Sequence, residues 1–296
     1  TLFTRLGTNP VAVIGFVAVL LSTVGALYAV ARKTIGEAWA LYRRHWRTFG
    51  LIGLVLIPVG LIFNGFQYLI TSIPPGKQVF EMMNESDAAG SLTAAILAGT
   101  LQHLVGFSIV GPAIIEAYQK LERNAKAPIV DVYRSAARQW PTIALAVLLM
   151  LIVIVPLALT IVGIPVAIWL GVRWFFIPQA VMLDGERGRS ALRQSAEVVG
   201  RGRRWLRVAG IGLFLIIIGA APGPLVGLVC LIIGSSSVNF ANSISSLVYA
   251  AFLPFSILGF TVLYRELQER RTMTPPVRSE HAHIEDEPPV TSPVAG

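Results

Sequence analysis

Charge is what this sequence is short of. Only 14% of its 296 residues are Asp, Glu, Lys or Arg, while 54% are hydrophobic. A soluble domain carries about a quarter charged residues, and no polar stretch here is long enough to build one. The apolar runs reach the ~20 residues that cross a hydrocarbon core of about 30 Å. Cysteine is nearly absent as well. Cys230 stands alone inside an apolar run, which excludes an intramolecular disulfide and reads as a small core residue. Acids are scarce: 16 against 24 Lys and Arg, for a net charge of +8. In a soluble chain that excess would raise nucleic acid as a partner. Here the bases cluster between apolar runs, which points to cytoplasmic loops and anionic lipid headgroups, with no nucleic acid.

Catalytic signatures are missing too. There is no His-Glu-x-x-His, P-loop, Gly-x-Ser-x-Gly or Cys-x-x-Cys. His281 and His283 lie beside Glu285, Asp286 and Glu287, but nothing in that stretch would hold a metal's geometry. The expectation is a protein that is not an enzyme and uses no metal and no cofactor.

What is present is a series of apolar segments that reads as an all-α, polytopic transmembrane bundle of about seven spans. They cover roughly residues 11–31, 49–70, 91–118, 143–163, 164–183, 206–233 and 240–263. Gly163-Ile164-Pro165 is the hairpin turn that divides an apolar stretch too long for one helix. The first segment has its charge, Arg32-Lys33, on the C-terminal side, whereas a signal peptide carries it before the apolar stretch. It therefore reads as a retained extra N-terminal span over residues 1–32. Bases crowd alternate connections and the others hold only Lys77, which orients the chain with its N-terminus outside and its C-terminus in the cytoplasm. From residue 272 onward proline, acids and small residues predict a disordered cytoplasmic tail.

Three parallel hairpin units emerge within residues 33–271, at about 34–118, 127–184 and 187–267. Ile35, Trp39, Trp46, Glu37, Arg44 and Thr48 recur at a constant offset as Ile129, Tyr133, Trp140, Asp131, Arg138 and Thr142. The apolar members fall on one helical stripe, with the acid in the first turn and the arginine near the last, as the helix dipole favours. Each such segment predicts an amphipathic elbow helix in the membrane interface, preceding spans two, four and six. A third copy carries Leu192, Ala196 and Val199. Trp46, Trp140 and Trp205 are the expected interfacial anchors. Arg43, Arg44, Arg47, Arg134, Arg138, Arg201, Arg203 and Arg204 are the expected headgroup contacts.

Arg173-Trp174, Pro178, Asp184-Gly185, Ala191-Leu192-Arg193-Gln194-Ser195, Gly202, Trp205 and the late run Leu263-Tyr264-Arg265-Glu266-Leu267-Gln268-Glu269-Arg270 form a further pattern. Over roughly residues 33–271 it resembles the six-helix membrane domain found ahead of some bacterial glycerophosphodiester phosphodiesterases, and its stand-alone relatives. The resemblance implies a bacterial cell membrane location. It implies no hydrolase activity, because the catalytic domain of the fused relatives has no counterpart in these residues.

Polar groups at membrane depth are the default leads, since lipid cannot satisfy them. Arg173 would lie about 16 Å deep at about 1.5 Å per residue. Glu116 is the acid positioned to pair with it, and snorkelling to a lipid phosphate is the competing reading. Asn64, Gln67, Gln102 and His103 form a second cluster, read as interhelical hydrogen bonding. Gly219, Gly223 and Gly227 recur around Pro222 and Pro224. They read as close helix packing, ahead of a broken, site-lining helix. A lipid-interacting or scaffolding membrane component needs only basic elbows and close packing. A transporter for a lipid or small amphiphile needs a continuous polar path, so it ranks second. Protein partners stay open, a homo-oligomer among them.

Overall fold

The computed structural model describes residues 10–58, 62, 107–234 and 238–273. Within them the chain forms α1 (Pro10–Arg44), α2 (Trp46–Leu54), α3 (107–122), α4 (Ile129–Ala158), α5 (Gly163–Arg173), α6 (Ile177–Asp184), α7 (Arg189–Val199), α8 (Arg203–Ala220), α9 (Pro222–Gly234) and α10 (Val238–Met273). No strand occurs among the described residues.

Among the described residues, four helical stretches are long and apolar enough to cross a membrane: Ile129–Ala158, Gly163–Asp184, Arg203–Gly227 and Ser243–Met273. Their surroundings differ sharply. Of the most apolar window of α4 only 11% is buried, whereas 72% of the corresponding window of α10 is buried. The last helix is therefore the post around which the others pack. Leu253, Ile257, Leu258, Leu263 and Tyr264 supply its buried face. Phe175 sets its ring 4.5 Å from that of Phe260, and Phe176 sits 5.4 Å from Tyr264. The outward residues of α4, Leu145, Leu148 and Ile152, stay exposed, as a lipid-facing surface requires.

The local chemistry explains the element ends. Pro128 precedes α4 in an extended conformation, with Asp131 in the first turn, where the positive end of the helix dipole favours an acid. The turn from α4 to α5 lies at Thr160, just before the expected Gly163-Ile164-Pro165. Its hydroxyl donates to the Leu157 carbonyl and accepts from the Gly163 amide, each at 3.0 Å. One side chain thus closes the hairpin, and Gly163 packs on the Leu157 carbonyl with no room for a Cβ. Gly185 ends α6 at φ 72°, the left-handed cap that only glycine adopts without steric cost.

Two features differ from the sequence reading. The first span and the first elbow segment form one continuous helix, α1, with no break near residue 32. The chain bends only at His45. No proline or glycine pair interrupts residues 31–44, so nothing stops the hydrogen-bond ladder. The second elbow segment likewise runs straight into α4, through Pro141. Only the third is a separate helix, α7, and its inward stripe is turned by a residue: Ala191, Ser195, Val198 and Val199 are buried, while Leu192 and Ala196 are half-buried. Asn64, Gln67, Gln102, His103 and the tail with His281 and His283 lie outside the described residues.

Candidate functional site

The sequence Leu263–Arg271 gives α10 polar side chains in several directions, and each direction meets a different helix. Tyr264 and Gln268, four apart, share one face. Both reach Asp184 at the end of α6: the phenol donates at 2.5 Å, and the amide donates at 2.9 Å and 2.8 Å to the two carboxylate oxygens. Gln194 of α7 donates to the same carboxylate at 3.0 Å. Asp184 therefore gathers α6, α7 and α10 at one point.

Glu266 and Arg270, also four apart, share another face. Glu266 is 8% exposed and accepts from Arg207 of α8 at 2.9 Å and from Arg270 at 2.8 Å. Its second oxygen accepts from the Thr34 hydroxyl of α1 at 3.1 Å. On the remaining faces Arg265 pairs with Glu122 of α3 at 3.0 Å, and Arg271 with Glu197 of α7 at 2.6 Å. About two turns of α10 are thus tied by charge or hydrogen bond to α1, α3, α6, α7 and α8.

Replacing Tyr264 with phenylalanine removes one donor from Asp184 while keeping the buried ring. Hydrogen bonds to a charged group contribute about 1.5 kcal/mol or more. The variant should melt a few degrees below the wild-type protein in the same detergent. An unchanged melting temperature would show that Gln268 and Gln194 suffice.

The joint between α5 and α6 is held by Ser195. Its hydroxyl donates to the Arg173 carbonyl at 2.8 Å and accepts from the Phe176 amide at 3.1 Å. This polar duty explains why the Ser195 face of α7 turns inward. Arg173 itself does not pair with Glu116. Its guanidinium lies 4.7 Å from the centre of the Trp169 ring and donates to the Ala196 carbonyl at 3.4 Å, while Nε is buried with no hydrogen-bond partner. Glu116 instead faces Lys120, one turn along α3, at 3.6 Å, the neighbour that helical spacing supplies first.

All eight arginines expected at headgroups are exposed. Among the described residues none of them forms an ion pair, in contrast to Arg207, Arg265, Arg270 and Arg271. Trp46 and Trp140 are 59% and 49% exposed, and the Arg47 guanidinium sits 5.7 Å from the centre of the Trp46 ring. Trp205 is less exposed and donates to the Trp169 carbonyl at 3.2 Å. Gly219 packs on Ser256, where a Cβ would fall 2.6 Å from its Cβ, and Gly223 packs on the Ser245 carbonyl. Gly227 is buried. No cluster of His, Cys, Asp and Glu suited to a metal ion occurs among the described residues.

Sequence reasoning did not single out Asp184, Glu122, Glu197 or Glu266 as acceptors. For Asp184, Glu122 and Glu266 the available signal was a position at or just past the end of an apolar run, where an acid must find a partner or face water; Glu197, within the polar α7, carried no such signal. By length and composition of its helices the chain is an α-helical membrane protein. No family model, curated protein or solved structure matches it.

Proposed function

We propose that this protein is a non-catalytic integral membrane component that holds anionic lipid headgroups, or scaffolds other components, at the cytoplasmic face. The observation that carries this reading is the division among the arginines. Those that brace the last helix are matched with acids, whereas the eight on the elbow segments are exposed and unmatched among the described residues. An unpaired arginine beside an exposed tryptophan is the usual chemistry of a membrane interface. The reading includes seven spans in three parallel hairpin units after an extra first helix, with the N-terminus outside, in a bacterial cell membrane. It also takes residues 33–271 as akin to the six-helix domain named above. In support, Asp184, Gln194, Tyr264 and Gln268 of the shared pattern meet in one hydrogen-bonded layer.

Native mass spectrometry of gently extracted protein tests the proposal. Retained phosphatidylglycerol or cardiolipin is expected, with most of it lost when the eight arginines become glutamine. A lipid-free monomer would overturn the reading and make liposome transport assays the next step.

A further inference from the structure

We propose that the open cavity beside the α1–α2 turn binds a phosphate-bearing ligand. The cavity measures about 820 Å³ and is walled by Arg44, His45 and Thr48 at the turn, Tyr118 and Glu122 of α3, and Lys126 of the following connection. That volume lies within the range of small-molecule sites, roughly 300–1,000 Å³.

Its charge balance selects the ligand. Glu122 is the acid in the wall, and it is already engaged: Arg265 holds one oxygen at 3.0 Å and the Tyr118 hydroxyl donates to the other at 3.3 Å. Arg44 and Lys126 are exposed and have no acidic partner among the described residues. Basic residues at helix C-termini have an ordinary duty, which is to offset the dipole. The ends of α1 and α3 supply about half a negative charge each, and the start of α2 about half a positive one. Two free cations exceed that demand, so the wall keeps a surplus of about one positive charge or more. A concave wall concentrates the field of that surplus. The guanidinium fork of Arg44 matches phosphate oxygens, and Lys126 and the Thr48 hydroxyl add donors.

The scaffold also fixes the cations. Asn124 ends α3 at φ 56°, and the Ala125 amide donates back to the Lys120 carbonyl at 2.8 Å, a helix stop of the left-handed type. Lys126 therefore leaves a defined turn. Arg44 is the last residue of α1, one step before the bend at His45.

A phospholipid headgroup and a soluble phosphate compound share this chemistry. The inference rests on the reading of the arginine-rich face as anion-binding and narrows it to one cavity. The test uses the full chain in phosphatidylcholine nanodiscs, with inorganic pyrophosphate titrated by calorimetry. A second set of nanodiscs contains phosphatidylglycerol, and native mass spectrometry counts the lipid retained. The Arg44→Gln/Lys126→Gln variant should weaken whichever probe binds by about tenfold, while Arg44→Lys should keep most of the affinity. Arg187→Gln/Arg189→Gln, which removes as much charge at two exposed positions outside the cavity wall and outside the eight headgroup arginines, should leave it unchanged.

Loss confined to pyrophosphate identifies a soluble ligand, and loss confined to phosphatidylglycerol identifies a lipid. Equal losses in the cavity and control variants would overturn the cavity assignment while sparing the broader lipid reading. Cavity-dependent pyrophosphate binding with no retained lipid would do the reverse. If neither probe binds the wild-type protein, both fall.

Discussion

Replacing Glu266 with alanine is expected to lower the unfolding free energy by about 3 kcal/mol, one of the two largest effects foreseen for a single substitution. The carboxylate is 8% exposed and serves Arg207, Arg270 and Thr34 at once. Removing one partner of a buried ion pair costs about 3–5 kcal/mol, because the other charge stays desolvated and unmatched. Arg270 is 53% exposed and Arg207 29%, so both can recover some water, which places the effect at the lower end. Glu266→Gln should fall between wild type and alanine, since an amide oxygen can still accept from Thr34. Unfolding followed by circular dichroism during titration with a denaturing detergent measures both. A paired cycle with Arg207→Met separates the specific term: if the double variant loses the full sum of the single losses, the two residues do not interact and the proposed brace is wrong. The geometry expects the double variant to lose less than that sum, because removing both charges leaves none stranded.

That brace also shows where the sequence was readable and where it was not. The membrane class follows from scarce charge and long apolar runs, properties that depend on no partner. The α4–α5 hairpin was legible for the same reason, although Thr160 rather than the Gly-Ile-Pro triplet closes it. Partner choice was not legible. Glu116 was matched with Arg173 because it was the acid available inside the bundle, yet Lys120 lies one turn away on its own helix, and Arg173 turns to an aromatic face and a carbonyl instead. The run Leu263 to Arg270 stands out in the sequence as a pattern, but its meaning, and the part played by the adjoining Arg271, do not. These residues satisfy acids on three other helices, α3, α6 and α7, and no periodicity within α10 reveals which helices those are. The apolar stripe Leu192, Ala196 and Val199 likewise gives no sign that Ser195, one residue off it, faces inward. A polar Ser195 facing the core makes no sense until the open amide of Phe176 and the carbonyl of Arg173 are seen opposite it.

Gly53→Ala should destabilise the protein by about 2 kcal/mol, while Gly50→Ala, one turn earlier on the same helix, should be neutral or slightly stabilising. An alanine in a helix gains about 1 kcal/mol over glycine from backbone entropy, and both sites should collect it. What differs is the space. A Cβ at Gly53 would fall 2.5 Å from the Ala250 carbonyl oxygen and 2.6 Å from Cγ of Pro254, whereas at Gly50 nothing lies within 4 Å. The obstacles at Gly53 are a main-chain oxygen and a ring fixed to the main chain, so relief requires α2 to move away from α10. Overpacking of this kind costs about 1–3 kcal/mol, and the absence of a flexible neighbour puts Gly53 at or above the upper end. The displacement would be felt at the turn that α2 shares with α1. Tyr42 of α1 donates to the Ala251 carbonyl at 3.3 Å, and Tyr133 of α4 donates to the Ile52 carbonyl of α2 at 2.7 Å, so the chain is fixed on both sides of the bend at His45. Gly53→Ala should therefore also reduce pyrophosphate or phosphatidylglycerol binding at the cavity beside His45, although residue 53 does not line it. Gly50→Ala should leave that binding intact. Equal melting temperatures for the two variants would mean that α2 does not rest on Ala250 and Pro254 as the structure has it.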